Sequence, residues 1–181
     1  MGREKLSLEV EGVPLIQRVS DALTDSCEEV LVVGESSIRP EGVGFATGER
    51  PGRLGPLAGV EAGLAAATNR LTFVAAADMP FLREDLVGYL LEHLRARDVR
   101  AVVPHHGGRI HPLCAAYDRE VLPLVSAALD EGVRAVHEFL EGMDEVEYVG
   151  EELRRFGDPD LLLMNVNSPG DLERARRGAR R

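Results

Sequence analysis

The chain has 181 residues, a length that suits one domain with a sizeable hydrophobic core. Its 31 acidic residues outnumber the 21 Lys and Arg residues, and the formal net charge of -10 argues against broad nucleic-acid binding through phosphate neutralisation. Cys27 and Cys114 fit no metal-ligand spacing and indicate free thiols in a reducing compartment, with Cys114 expected to be a small core residue. The sequence has no apolar run that could cross a bilayer and no signal segment, so we expect a cytoplasmic protein without membrane contact.

Apolar residues in the first half of the chain recur with the spacing of alternating strands and helices. In chain order we predict an extended segment over Leu6–Val10, a helix over 14–24, a strand over Val30–Val33, a polar loop over 35–54 with a short strand near Val43–Ala46, a helix over Gly55–Ala67 and a strand over Leu71–Ala77. A polar loop of that length is more often functional than idle. Gly59 and Gly63 each cost their helix roughly 1 kcal/mol, which indicates a close approach to the sheet or to a ligand.

The second half continues the same alternation. We predict a helix around Leu86–Leu94, a strand over Ala101–Val103, a turn over His105–Gly108, a strand over Leu113–Tyr117, a helix capped by Asp118 and ended by Gly132, a helix over Val133–Leu140, a strand over Val146–Val149 and a last helix that begins at Ser168 with a capping box. This order favours an α/β fold of three layers, with helices on both faces of a mostly parallel, Rossmann-like sheet. We expect one domain over 1–175 and a disordered basic tail over 176–181.

One carboxylate stands at the end of the most apolar strand. The run from Leu71 to Ala77 suits a strand covered on both faces, and it ends at Asp78, directly before Met79 and Pro80. In open α/β sheets, ligands bind outside the carboxyl ends of the strands, so Asp78 is well placed to hold a metal ion and a phosphate. Asp is also a common turn residue, and at this point both interpretations of Asp78 stay open.

Several motifs, in the right order along nearly the whole chain, resemble the molybdenum cofactor guanylyltransferases, a family of nucleotidyltransferases. They are Met1-Gly2-Arg3-Glu4-Lys5, Gly12-Val13-Pro14-Leu15, Gly55-Pro56-Leu57-Ala58-Gly59, Ala77-Asp78-Met79-Pro80, Arg109-Ile110-His111-Pro112-Leu113 and Asn165-Val166-Asn167-Ser168-Pro169. The family has Asp where this chain has Glu4. After the strand that ends at Gly34, the family continues into an Asn that this chain lacks.

The resemblance implies transfer of GMP from GTP to the phosphate of molybdopterin, with release of pyrophosphate. Asp78 is expected to bind Mg²⁺, and Lys5 to place a fixed positive charge beside the phosphates. Nucleotide contacts are expected from Gly2, Gly55, Pro56 and, at the spacing of a family Asp, Glu49.

The later motifs imply contacts with the second substrate. Arg109 and His111 are expected to face its anionic part, and Asn165 and Asn167 to orient the metal or the pterin through their amide groups. The Asn pair equally suits turn and helix-cap chemistry, while His105-His106-Gly107-Gly108 is typical of a turn and not of a metal site.

The resemblance also implies a strand and most of a Gly-rich loop ahead of Met1, so the chain is expected to lack an interior strand of its sheet. We expect a monomer or weak oligomer that exchanges cofactor with delivering or accepting proteins. Two alternatives stay open. One is a related enzyme that uses another base or acceptor, such as a cytidylyl, sugar-phosphate or phospholactate nucleotidyltransferase. The other is a non-catalytic relative that binds nucleotides.

Overall fold

The computed structural model describes residues 7–34, 38–46, 50 and 55–179. The strands are β1 (Glu9–Val10), β2 (Val13–Pro14), β3 (Leu31–Val33), β4 (Gly44–Ala46), β5 (Leu71–Ala75), β6 (Ala101–His106), β7 (Arg109–Ile110), β8 (Cys114–Asp118) and β9 (Val146–Val149). The α-helices are α1 (Leu15–Thr24), α2 (Pro56–Ala66), α3 (Glu84–Ala96), α4 (Leu122–Asp130), α5 (Val136–Glu141), α6 (Pro159–Leu162) and α7 (Pro169–Gly178). Over the described part of the chain, no helix combines the length and the apolar character needed to cross a bilayer.

The main sheet is mixed: β5, β6 and β9 run in one direction, and the expected parallel direction fails only at β7 and β8. Its core order is β5-β8-β6-β7, and β9 pairs with β6. Pairs β5–β8, β6–β8 and β6–β7 are antiparallel, whereas β6–β9 is parallel. The reason is the return of the chain after Gly107 and Gly108, which have φ angles of 60° and 74° and form the tight turn from β6 to β7. The chain then enters β8 in the reverse direction, between β5 and β6. Strands β3 and β4 form a separate parallel pair.

Helices cover both faces of the main sheet, as an α/β fold requires. Along β8, successive side chains alternate between two clusters. Cys114 and Ala116 pack with α3 on one face, and Ala115 and Tyr117 pack with α2, α4 and α5 on the other. All five residues of β8 are buried. The prediction that Cys114 is a small core residue is therefore confirmed, and burial raises the pKa of its thiol to about 12.

Local sequence signals located most element boundaries. Strand β9 has the predicted bounds, and the predicted capping box of α7 is present, with Ser168 accepting from the Asp171 amide and the Asp171 carboxylate accepting from Ser168. His105 belongs to β6 and not to the turn.

The structure adds one helix near the C-terminus and corrects one prediction there. The apolar run at Leu161 lies in helix α6, because Asp158 caps that helix and Pro159 occupies its first turn. Residues 176–178, predicted to belong to a disordered tail, form the last turn of α7. Arg176 there donates to the Glu9 carbonyl at 3.2 Å.

Candidate functional site

A carboxylate and an amide from distant parts of the chain meet at the end of β5. Asn165 Nδ2 donates to Asp78 Oδ1 at 2.6 Å, and the amide of Val166 donates to the Asp78 carbonyl at 2.9 Å. Met164 and Val166 are buried in a small core with Val10 and Leu15, so the polar Asn165 between them points the other way. Packing of the two apolar neighbours therefore fixes the amide beside the carboxylate.

Asn167 has a different local role. Its backbone amide donates to the Asp171 carboxylate at 3.1 Å, directly before the N-cap of α7. The residue is exposed. Of the predicted Asn pair, the structure thus places Asn165 against Asp78 and Asn167 at the start of a helix.

The start of α2 is shaped by a glycine. Gly55 has a φ angle of 80°, and a Cβ atom there would lie 3.0 Å from the carbonyl oxygen of Arg134. Both facts require glycine at this position. The amide of Leu57 donates to the Arg134 carbonyl at 3.1 Å, and the amide of Ala58 donates to the Gly55 carbonyl at 3.3 Å. These first helical N–H groups are therefore used within the protein, and Pro56 has none to offer.

The segment after β7 lies beside the end of β5. The carbonyl of Leu113 accepts from the amide of Ala76 at 2.7 Å, two residues before Asp78. The buried Tyr117 hydroxyl donates to the Pro112 carbonyl at 2.7 Å and holds this segment in place. His111 is half-buried, and burial lowers the pKa of its imidazole, which favours the neutral ring. Arg109 is exposed opposite His106 in the β6–β7 hairpin.

The described residues therefore bring some predicted site residues together. Asp78 and Asn165 are in contact, while Pro56 and Ala77 line the same cavity at the end of β5. Gly2, Lys5 and Glu49 lie outside the residues that the structure describes, so their predicted roles stay predictions.

Sequence reasoning missed a network of charged and polar side chains that joins α2 to α4. Arg50 donates to both carboxylate oxygens of Glu61, each at 2.8 Å, and also contacts Asp130. The Ser126 hydroxyl donates to Glu61 at 2.6 Å. The bond from Arg50, helped by Ser126, holds the pKa of Glu61 below its usual range despite partial burial. No local pattern could have indicated partners that lie this far apart in sequence.

We expect Glu61→Gln to lower the melting temperature by a few degrees at pH 7 and by much less at pH 3. A depressed pKa in the folded state stabilises the protein above the unfolded value of about 4.3, and this contribution is lost as the pH falls through the folded value. Melting of both proteins between pH 3 and pH 7 measures the difference. Glu92→Gln, at an exposed pair with Arg95, serves as the control and should change little. A pH-independent Glu61→Gln effect would contradict the assigned role of the charge.

Comparison with known proteins identifies the family of this chain. A family model described as the MobA-like NTP transferase domain matches residues 1–146. The chain is 34% identical over 180 residues to a probable molybdenum cofactor guanylyltransferase of Pelotomaculum thermopropionicum, covering 97% of this chain and 85% of that protein.

Solved structures show the same fold. Molybdopterin-guanine dinucleotide biosynthesis protein A of Archaeoglobus fulgidus superposes with a TM-score of 0.83 at 27% identity, covering 99% of this chain and 92% of that one. The 2-C-methyl-D-erythritol 4-phosphate cytidylyltransferase of Thermus thermophilus gives a TM-score of 0.73 at 24% identity, covering 98% and 95% of the two chains. The resemblance seen in the motifs is therefore confirmed, and the chain belongs to the family of MobA-like NTP transferase domains.

Proposed function

We propose that this protein transfers GMP from GTP to the phosphate of molybdopterin and releases pyrophosphate. The observation that carries the proposal is the contact between Asp78 and Asn165 at the end of β5, in a chain that belongs to the MobA-like family. The relative from Pelotomaculum thermopropionicum bears the name of this activity.

The reaction places clear demands on the site. An oxygen of the acceptor phosphate bonds to the α-phosphorus of GTP while the bond from that phosphorus to the leaving pyrophosphate breaks. A phosphate monoester is already largely ionised at neutral pH, so no general base is required. Negative charge builds on the leaving group, and the site has to stabilise it.

The residues at the end of β5 fit a Mg²⁺ ion. Mg²⁺ prefers oxygen ligands and usually binds through one or two carboxylates together with substrate phosphates and water. Asp78 provides a carboxylate and Asn165 an amide group beside it. In the proposal, substrate phosphates and water complete the ligands of the ion. When bound, Mg²⁺ neutralises charge on the phosphate oxygens.

Other residues take supporting roles in the proposal. Lys5 supplies a positive charge beside the phosphates, and Gly2 and Glu49 contact the nucleotide. Gly55 and Pro56 shape the nucleotide side of the cavity. Support for the last two comes from the close approach of Gly55 to Arg134 and the position of Pro56 on the cavity wall.

On the acceptor side, we assign the pterin contacts to Arg109, His111 and Asn167. The segment that contains His111 is held beside the end of β5 through the Leu113–Ala76 hydrogen bond.

We expect Asn165→Ala to lower kcat/KM for guanylyl transfer by about 10- to 100-fold. Removing a hydrogen bond to a charged group costs about 1.5–3 kcal/mol, and here that bond orients the Asp78 carboxylate. Steady-state kinetics at several Mg²⁺ concentrations measure the effect. Gln17→Ala, which removes the amide-to-carboxylate hydrogen bond to Asp21 on the exposed part of α1, is the control. An Asn165→Ala protein with unchanged kinetics would show that the amide is only a structural partner of the turn.

The proposed reaction is tested by incubating the protein with molybdopterin, Mg²⁺ and each of the four labelled nucleoside triphosphates. We expect a labelled dinucleotide product and pyrophosphate with GTP only. A product with CTP would favour the related enzyme that uses another base. Failure to bind any triphosphate would favour the non-catalytic relative.

The organisation of the protein is part of the same proposal. We assign the chain up to the end of α7 to one domain of three Rossmann-like layers, supported by helices on both faces of the sheet. We also propose a monomer or weak oligomer that exchanges cofactor with other proteins. Among the described residues, Leu124 and Tyr148 are the only large apolar side chains that are exposed, and such scattered residues do not form a large permanent interface.

A further inference from the structure

The turn between β1 and β2 has an unfavourable backbone conformation. Val10 pairs with Val13, and the two residues between them, Glu11 and Gly12, have φ angles of 53° and 76°. Two left-handed residues in succession form a tight hairpin turn, which Gly accepts and Glu disfavours. Glu11 is the only residue other than glycine with a left-handed φ angle in the part of the chain that the structure describes. Contacts from the rest of the protein must therefore hold this turn in place.

Two arginines from two helices bind the backbone of this hairpin. Arg18 of α1 donates from Nε and Nη2 to the Val10 carbonyl, at 3.0 Å and 2.8 Å, and its Nη2 also donates to the Glu11 carboxylate at 3.1 Å. Arg176 of α7 donates to the Glu9 carbonyl at 3.2 Å. We call Arg18 and Arg176 the hairpin clamp. Each strand of the hairpin has only two residues, and a ribbon this short is not stable by itself, so its position depends on such contacts.

The hairpin packs against the residues that flank Asn165. Val10 is fully buried. It shares a small apolar cluster with four other buried residues: Leu15, Met164, Val166 and Ala175. Met164 and Val166 are the two neighbours of Asn165 along the chain. A displacement of Val10 would therefore disturb the packing that fixes the Asn165 amide beside the Asp78 carboxylate.

Helix α7 connects the clamp to the site by a second route. The helix begins at Pro169, shortly after Asn165, and its capping box fixes that start. Arg176, in the last turn, joins the same helix to the hairpin. The segment that carries Asn165 therefore lies between two elements, the hairpin and α7, that are bonded to each other.

We propose that Arg18 is a positioning residue for guanylyl transfer. It acts through Val10 on the Asn165 amide, and thereby on the carboxylate that this amide contacts. Arg18 supplies two bonds to the carbonyl of a buried residue, whereas Arg176 supplies one longer bond to Glu9, so the larger effect is expected at Arg18. The inference rests on the proposed function, because it assigns Arg18 a role in that same reaction.

A double-mutant cycle tests whether Arg18 acts through Asn165. Arg18→Ala should lower kcat/KM for guanylyl transfer by about tenfold in the otherwise unchanged protein. In a protein that already carries Asn165→Ala, the same change should lower kcat/KM by less than about twofold, because the amide that Arg18 positions is absent. An equal loss in both backgrounds would overturn the inference, since a merely structural role of Arg18 predicts that result.

A second measurement needs neither nucleotide nor metal. Asn165 Nδ2 lies 2.6 Å from Asp78 Oδ1, and the exchange of its protons with solvent is measured by NMR. Arg18→Ala should speed this exchange at least about tenfold, and an unchanged exchange rate would overturn the inference. A wild-type protein that transfers no guanylyl group would instead refute the proposed reaction, while the exchange rates would still decide whether Arg18 holds the amide.

A matched control separates positioning from general stability. Arg119 Nε also donates to a backbone carbonyl, that of Leu64, at 2.9 Å. Arg119 lies beside the start of β5, where its amide donates to the Arg70 carbonyl at 2.7 Å, and thus at the end of the strand opposite to Asp78. Arg119→Ala should leave both guanylyl transfer and the exchange of the Asn165 amide unchanged. A loss as large as that of Arg18→Ala would contradict the inference.

Two further variants keep the test decisive. Glu11→Gly removes the ion pair and the unfavourable φ angle but leaves both bonds from Arg18 to Val10, so transfer should stay within about twofold of wild type. A tenfold loss there would assign the effect to the ion pair and not to the clamp. Arg18→Met keeps the apolar stem and removes every donor, and it replaces Arg18→Ala in the cycle if melting shows that Arg18→Ala does not fold.

Discussion

Asp78→Asn is expected to abolish Mg²⁺-dependent guanylyl transfer while the fold stays intact. Asn has nearly the same shape as Asp and keeps the oxygen that accepts from Asn165, but it lacks the negative charge that a metal ion requires. Metal stabilisation of phosphoryl charge contributes several kcal/mol to the transition state. The rate should therefore fall by at least about a hundredfold, measured at saturating Mg²⁺ with the melting temperature as the test of folding.

The chain offers a matched control for this change. Gln17 Nε2 donates to Asp21 Oδ1 at 2.7 Å, the same type of contact as that between Asn165 and Asp78, on the exposed face of α1. Asp21→Asn should leave transfer unchanged. If Asp78→Asn instead retains most of its activity at saturating Mg²⁺, Asp78 is a turn residue and the metal assignment is wrong.

A second large effect is expected from extending the chain. An apolar strand and a Gly-rich loop added ahead of Met1 should raise both the stability and the affinity for GTP. The strand would pair with the edges of β3 and β5, which no backbone hydrogen bond joins to each other among the described residues. The loop would supply backbone N–H donors for the triphosphate.

Thermal melting with and without Mg-GTP, on the 181-residue and the extended proteins, measures both effects. Mg-GTP at about a hundred times its dissociation constant should stabilise the extended protein by roughly 2.7 kcal/mol. The 181-residue protein should melt at a lower temperature and respond weakly. Equal melting temperatures and equal GTP shifts in the two proteins would remove the basis for placing Gly2 and Lys5 beside the phosphates.

Much of the local structure could be read from the sequence. The bounds of β9, the capping box of α7 and the strand before Asp78 depend on residues that are neighbours along the chain. Periodicity and capping report such short-range interactions directly. The family motifs indicated Asp78 and Asn165 as candidates, and the structure places these two residues in contact.

Partners that are distant in sequence were decided only by the tertiary structure. Arg134 approaches Gly55, and Arg50 bonds to Glu61 and Asp130, through packing of separate elements. The sequence periodicity around each of these residues does not indicate that they are in contact.

The direction of β8 and the pairing of β3 and β5 were likewise decided by the tertiary structure. The run over Cys114–Tyr117 is apolar whichever way it pairs, so the pattern indicated a buried strand and not its antiparallel direction. Likewise, the apolar runs of β3 and β5 show that both strands are suited to burial. Whether their edges meet depends on which strand lies between them, because edge pairing is a contact between backbones that side-chain pattern does not specify.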